Sequence, residues 1–91
     1  MNLKDLSGKV LYTKSDKMCY YVALVRDKVL YYARWKPGEN VTTYKSTDYE
    51  LSWEYYIANI NEDDFTINEM SKYKKECSFA NRTFIRDLFN D

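Results

Sequence analysis

The chain contains no histidine in its 91 residues. Serine or cysteine nucleophiles activated by a histidine base are therefore excluded, and so are histidine-ligated zinc sites. Glycine occurs only at Gly8 and Gly38, so no glycine-rich loop is available to cradle a phosphate. No stretch approaches the run of about 18 apolar residues that a membrane-spanning helix requires. The opening residues, MNLKDLSGKV, lack the apolar centre of a signal peptide, and a cytoplasmic location is expected. Cys19 and Cys77 lie far apart with no CxxC spacing. Two thiols supply too few ligands for a metal, so free thiols in a reducing compartment are expected, with a disulfide as the alternative.

What is present describes an ordinary globular chain. An apolar content of 45% beside 31% charged residues argues against disorder and for one domain spanning residues 1–91. Lysine, asparagine, tyrosine and isoleucine supply 31 of the residues, a bias toward AT-rich codons. Net charge is zero, yet the signs are segregated. Residues 1–47 hold nine Lys/Arg against four Asp/Glu, while residues 48–91 hold five against ten. From Asp48 to Glu69 there are seven acids and no base, an asymmetry of the kind that marks interaction surfaces.

The first half reads as an antiparallel meander. Strands are expected at Lys9–Lys14, Met18–Arg26, Val29–Lys36 and Val41–Lys45, from their alternating or β-branched and aromatic runs. Lys36-Pro37-Gly38-Glu39 is the strongest turn, because proline presets one dihedral and glycine accepts the positive one of a type II turn. A two-residue loop at Asp27-Lys28 would set Arg26 against Val29, Leu24 against Tyr31, Val22 against Ala33 and Tyr20 against Trp35 on a core face. The other face would then carry Val25 with Leu30, Ala23 with Tyr32, Tyr21 with Arg34 and Cys19 with Lys36. Successive strand residues point to opposite faces, so the doublets Tyr20-Tyr21 and Tyr31-Tyr32 must put rings on both sides.

The second half reads as helical. Thr47 with Glu50 forms a capping box before Tyr49, Trp53, Tyr56, Ile57 and Ile60, although Leu51, Trp53, Tyr55 and Ile57 also alternate as a strand would. The capping box favours the helix. Thr66 with Glu69 suggests a second helix through Ile67–Glu76, and Asn81 a cap for a last helix bearing Phe84, Ile85, Leu88 and Phe89. The expected fold is α+β: a small antiparallel meander of three to four strands, followed by two or three helices packed on one face.

Chemistry-bearing patterns are sparse. Glu62, Asp63 and Asp64 resemble a hard-cation cluster, but adjacent acids in a loop splay apart and EF-hand spacing is missing. Glu50 and Glu54, one helical turn apart, fit the wet face of a helix. A cofactor pocket is difficult to carve from so small a domain. No catalytic residues, metal or cofactor are expected.

Two candidate surfaces remain. One joins Glu50, Trp53, Glu54, Tyr55, Tyr56, Glu62, Asp63 and Asp64, where large rings can anchor a partner and acids steer it toward a basic surface. A nucleic-acid-handling protein offers such a surface. The other is a nucleic-acid-binding face built from Tyr21, Tyr32, Arg34 and Lys36, in which rings stack on bases beside cations that follow phosphates. A single small domain with no catalytic set and an acid–aromatic patch is similar in type to the small inhibitors that phages and plasmids use against host defences, anti-CRISPR proteins among them. The expected function is accordingly a non-catalytic protein-binding inhibitor, with nucleic-acid binding as the alternative and homo-oligomerisation compatible with either.

Overall fold

The computed structural model describes residues 6–27, 29–46 and 64–89. Five strands form one antiparallel sheet: β1 (Lys9–Thr13), β2 (Met18–Arg26), β3 (Val29–Trp35), β4 (Thr42–Ser46) and β5 (Phe65–Glu69). Their order across the sheet is β4-β3-β2-β1-β5, which places the last strand beside the first. A short 3₁₀ turn, Met70–Tyr73, leads into the C-terminal helix α1 (Lys74–Phe89), which covers one face. The α+β class is as expected; among the described residues the sheet has five strands rather than the expected three or four, and one C-terminal helix follows it where two or three were expected.

The difference arises at Thr66 and Glu69. Their spacing suits a capping box, but the same residues lie in β5, where Phe65, Ile67 and Glu69 share one face and Thr66 and Asn68 the other. Pairing Lys9 with Glu69 and Thr13 with Phe65 satisfies the outer backbone groups of β1, which would otherwise form a bare sheet edge. Lys9 Nζ also forms an ion pair with Glu69 across the two strands. A local helix signal thus yields to a long-range ladder. The helix begins only at Lys74 and runs through Asn81, which is no cap; its side-chain oxygen accepts a hydrogen bond from the Tyr21 hydroxyl at 2.8 Å. The helix expected from the Thr47–Glu50 capping box through Ile60 lies outside the described residues; Ser46 closes β4.

A β-bulge between Val22 and Leu24 decides which tyrosine faces which way. Arg26 opposite Val29, Val25 opposite Leu30 and Leu24 opposite Tyr31 follow the expected hairpin. Beyond the bulge the register shifts by one, so Val22 meets Tyr32, Tyr21 meets Ala33, Tyr20 meets Arg34 and Cys19 meets Trp35. One extra residue in one strand exchanges the faces of everything after it. Tyr21 and Cys19 therefore join Tyr31, Ala33 and Trp35 in the helix-side core, with Val10, Cys77, Ala80 and Phe84. Tyr31 meets Phe84 edge-to-face at 5.7 Å, and Trp35 meets Tyr73 similarly at 5.8 Å.

The opposite face buries a smaller cluster of Leu6, Leu11, Val22 and Leu30, with Tyr20, Tyr32 and Phe65 packed against it. The doublets Tyr20-Tyr21 and Tyr31-Tyr32 thus each send one ring to each side. The buried members are Tyr21 and Tyr31; Tyr20 and Tyr32 remain half-buried. Both cysteines are free and buried. No helix among the described residues is long and apolar enough to cross a membrane.

The turns follow their chemistry. Glu39 N–H donates to the Lys36 carbonyl at 2.9 Å and Gly38 has φ +86°, the type II geometry expected of Lys36–Glu39. Lys17 and Asp27 adopt φ values of 52° and 51° without being glycine, in the tight connections flanking β2.

Candidate functional site

On the sheet face opposite α1, three strands bring together four side chains that are far apart in sequence. Tyr20 comes from β2, Tyr32 and Arg34 from β3, and Tyr44 from β4. Tyr32 and Tyr44 are direct cross-strand partners, and their rings stack with centroids 5.0 Å apart and planes 15° apart. Arg34, two residues along β3, reaches diagonally to Tyr44. Its Nε–H donates to the Tyr44 hydroxyl at 2.8 Å, and its guanidinium carbon lies 5.0 Å from the ring centroid. Tyr20 faces Arg34 across the β2–β3 ladder. Stacking and cation–π contacts of this kind contribute about 0.5–1.5 kcal/mol each. They lock a platform of rings around one cation.

The electrostatics suit binding better than proton transfer. Burial pushes the Tyr32 phenol above its ordinary value, the neighbouring Tyr44 adds to that, and Arg34 opposes it. The Tyr44 hydroxyl raises Arg34 further above its already high value by accepting its hydrogen bond. At neutral pH the Tyr32 phenol therefore keeps its proton beside the fixed positive charge of Arg34. The platform offers ring faces, hydroxyl groups and guanidinium N–H donors, the groups that recognise partners by shape and hydrogen bonding.

Comparison with protein-family models, curated proteins and solved structures yields no match.

Of the residues singled out from sequence, Tyr32 and Arg34 do share this face. Tyr21 does not: the bulge turns it into the helix-side core, only 3% exposed, where burial raises its phenol and its hydroxyl donates a hydrogen bond to Asn81 Oδ1. Lys36 is exposed directly after β3, in the turn before Pro37. Glu50, Trp53, Glu54, Tyr55, Tyr56, Glu62 and Asp63 lie outside the described residues. Asp64 is described, and its carboxylate is engaged within the chain. Oδ1 accepts the Ser15 N–H at 2.9 Å, Oδ2 accepts the Ser15 hydroxyl at 2.5 Å, and the Asp64 carbonyl accepts the Lys14 N–H at 2.6 Å. The residue ties the β1–β2 turn to the start of β5. Among the described residues no group of three or more acidic or cysteine side chains is placed to hold a metal.

Sequence reasoning missed Tyr20 and Tyr44. Tyr20 was hidden by the bulge, which nothing in the run MCYYVALVR announces. Tyr44 was legible as a strand residue, but its partner depends on how many residues the turn consumes. The observed ladder sets Arg34 against Thr42 and Tyr32 against Tyr44, one residue away from simple counting out of Lys36–Glu39.

Proposed function

We propose that the protein is a non-catalytic protein-binding module whose contact surface includes the Tyr20–Tyr32–Arg34–Tyr44 platform. The Arg34–Tyr44–Tyr32 stack carries this reading. Tyrosine and arginine are enriched among interface hot spots, where a single truncation costs about 2 kcal/mol or more. Side chains already locked together avoid much of the roughly 0.5–1.5 kcal/mol that ordering each free one would cost on association.

The number of cations favours a protein over single-stranded nucleic acid. The platform holds Arg34 alone, with Lys36 exposed at its margin, and Lys9 is engaged with Glu69. Each neutralised phosphate of a single strand contributes only about 0.7 to the salt slope, so one or two cations give weak electrostatic binding. Along the chain Tyr44 is followed closely by Asp48, Glu50, Trp53, Glu54, Tyr55, Tyr56, Glu62 and Asp63, a composition that suits a partner with a basic surface. A nucleic-acid-handling protein presents one, and occupying it would inhibit that protein. An anti-defence, anti-CRISPR-like role in a phage or plasmid is the biological form of this proposal.

The test is a pull-down from the native host with the wild-type chain, repeated with Tyr32→Ala/Tyr44→Ala and with Glu50→Lys/Glu54→Lys. A partner with a basic surface should be retained by the wild type and weakened about thirtyfold by the platform variant, the equivalent of about 2 kcal/mol. Undiminished affinity in a folded platform variant would overturn the assignment. A micromolar gel shift with single-stranded DNA or RNA at low salt would establish the nucleic-acid alternative instead.

A further inference from the structure

Between helix α1 and the β3–β4 connection lies a cleft of about 370 Å³, within the size range of ligand pockets. One wall is the connection, held in its type II turn by the hydrogen bond from Glu39 N–H to the Lys36 carbonyl, and it presents Glu39, Asn40 and Val41. The other wall is the start of α1, fixed by the packing of Cys77, Ala80 and Phe84 on the sheet, and it presents Lys75, Glu76 and Phe79. The backbone on both sides is thus anchored before anything enters, which lowers the cost of ordering on binding. Phe79 belongs to neither core cluster and is 48% exposed, so its ring serves the cleft rather than the core.

The charges of the cleft select a cation. Glu39 and Glu76 set one carboxylate on each wall, and Lys75 adds one positive charge against these two negatives. The ion pairs among the described residues are Lys9–Glu69 and Arg26–Asp27, so neither carboxylate of the cleft is neutralised by a direct partner there. The chain's own acidic stretch, residues 47–63, holds five acids and no base, and like charge excludes it as the occupant. A planar guanidinium suits the site better than an ammonium, because it stacks on a ring face while its fork of N–H donors meets carboxylates. Asn40 offers a further acceptor, and Val41 an apolar surface for the aliphatic stem. We propose that the cleft receives an arginine side chain of a partner protein, its guanidinium stacked on Phe79 and paired with Glu39 and Glu76. That the arginine belongs to a basic partner rests on the function proposed above; the cleft itself is separate from the platform, which lies on the other face of the sheet.

The experiment is a titration of the isotope-labelled full chain with N-acetyl-arginine amide at low salt, followed by two-dimensional amide NMR. Shifts should concentrate at residues 38–41 and 75–79 and saturate in the millimolar range. N-acetyl-citrulline amide, which keeps the shape and loses the charge, should shift none of them. Phe79→Ala and Glu76→Gln should each weaken binding about two- to fivefold, and Lys75→Ala should tighten it about twofold, since it removes the charge that opposes the ligand. Glu39→Gln/Glu76→Gln should bring binding below detection. The substituted side chains are exposed or half-buried, and the amide spectrum itself shows that each variant folds. Equal shifts with the citrulline compound, shifts centred on other acids such as Glu69 or Asp87, or unchanged affinity in Phe79→Ala or in the double glutamine variant would each overturn the proposal. Shifts of the same amides on raising the protein concentration without ligand would assign the cleft to a second copy, and so would overturn it too. Tyr32→Ala/Tyr44→Ala should leave the titration unchanged, so the failure of either proposal is separable from that of the other.

Discussion

Truncating Phe84 tests whether α1 is held by its packing on the sheet. The side chain is 1% exposed and lies among Val10, Cys19, Tyr21, Tyr31, Ala33, Trp35, Cys77 and Ala80, with the Tyr31 ring edge-on to it. Replacing a buried phenylalanine by alanine costs about 3–5 kcal/mol, through lost transfer energy and the cavity that remains. A chain of this length has a total stability of about 5–13 kcal/mol, so Phe84→Ala should forfeit between about a quarter and all of it. Phe84→Leu retains most of the volume, and its cost of about 1–2 kcal/mol keeps the measurement within range. Phe89 lies on the same helix but is 85% exposed, and Phe89→Ala should change stability by less than about 0.5 kcal/mol. Urea unfolding followed by far-UV circular dichroism gives all three values. If Phe84→Ala cost under about 1 kcal/mol at an unchanged m-value, or if Phe89→Ala cost as much, the placement of the helix would be refuted.

Further outcomes follow from other contacts. Asp64→Ala should cost about 1–2 kcal/mol and Ser15→Ala less, because its backbone N–H still donates to Asp64 Oδ1 and only the hydroxyl bond is lost, and the double variant should cost little more than Asp64→Ala alone; thermal melts of the three proteins decide it. Gly38→Ala should cost about 1 kcal/mol from its φ of +86° alone, since an added Cβ meets no atom within 4 Å, and Lys17→Gly should stabilise by about 0.5 kcal/mol for the converse reason. Burial, reinforced by Glu76 and Cys19, pushes the Cys77 thiol from its ordinary value of 9.0 to about 11. The folded chain therefore keeps this proton where the unfolded chain loses it. The resulting stability is fully present below pH 9 and declines between about pH 9 and 11, by at most about 3 kcal/mol. Urea midpoints across that interval should fall with pH, and Cys77→Ala should flatten the fall; an unchanged slope in that variant would refute the assignment. Both thiols, buried in the same core, should react with a disulfide reagent only as fast as the chain opens.

Legibility in the sequence followed the range of the forces involved. Signals carried by adjacent residues were readable. Pro37-Gly38 marked its turn, the β-branched and aromatic runs marked β2 and β3, and the tyrosine doublets required rings on two faces. Half of the platform, Tyr32 and Arg34, could be named because they alternate on one strand. Its other half could not. Tyr20 and Tyr44 reach the platform through the bulge near Ala23 and through the length of the β3–β4 connection, and one residue more or less would exchange their faces.

The sequence by itself determined an α+β class and a chain without histidine-based chemistry, because composition and period-two alternation act locally. It also determined the segregation of charge between the two halves. Only the tertiary structure decided that Phe65–Glu69 would be a strand. The helix-forming tendency of Thr66 to Glu69 amounts to a fraction of a kcal/mol per residue, whereas an unpaired β1 edge would forgo a whole ladder of hydrogen bonds. The tertiary structure likewise decided that Tyr21 is core and Tyr20 lies on the platform face. Local propensity treats those neighbouring tyrosines alike, and pairing with Ala33 or with Arg34 tells them apart.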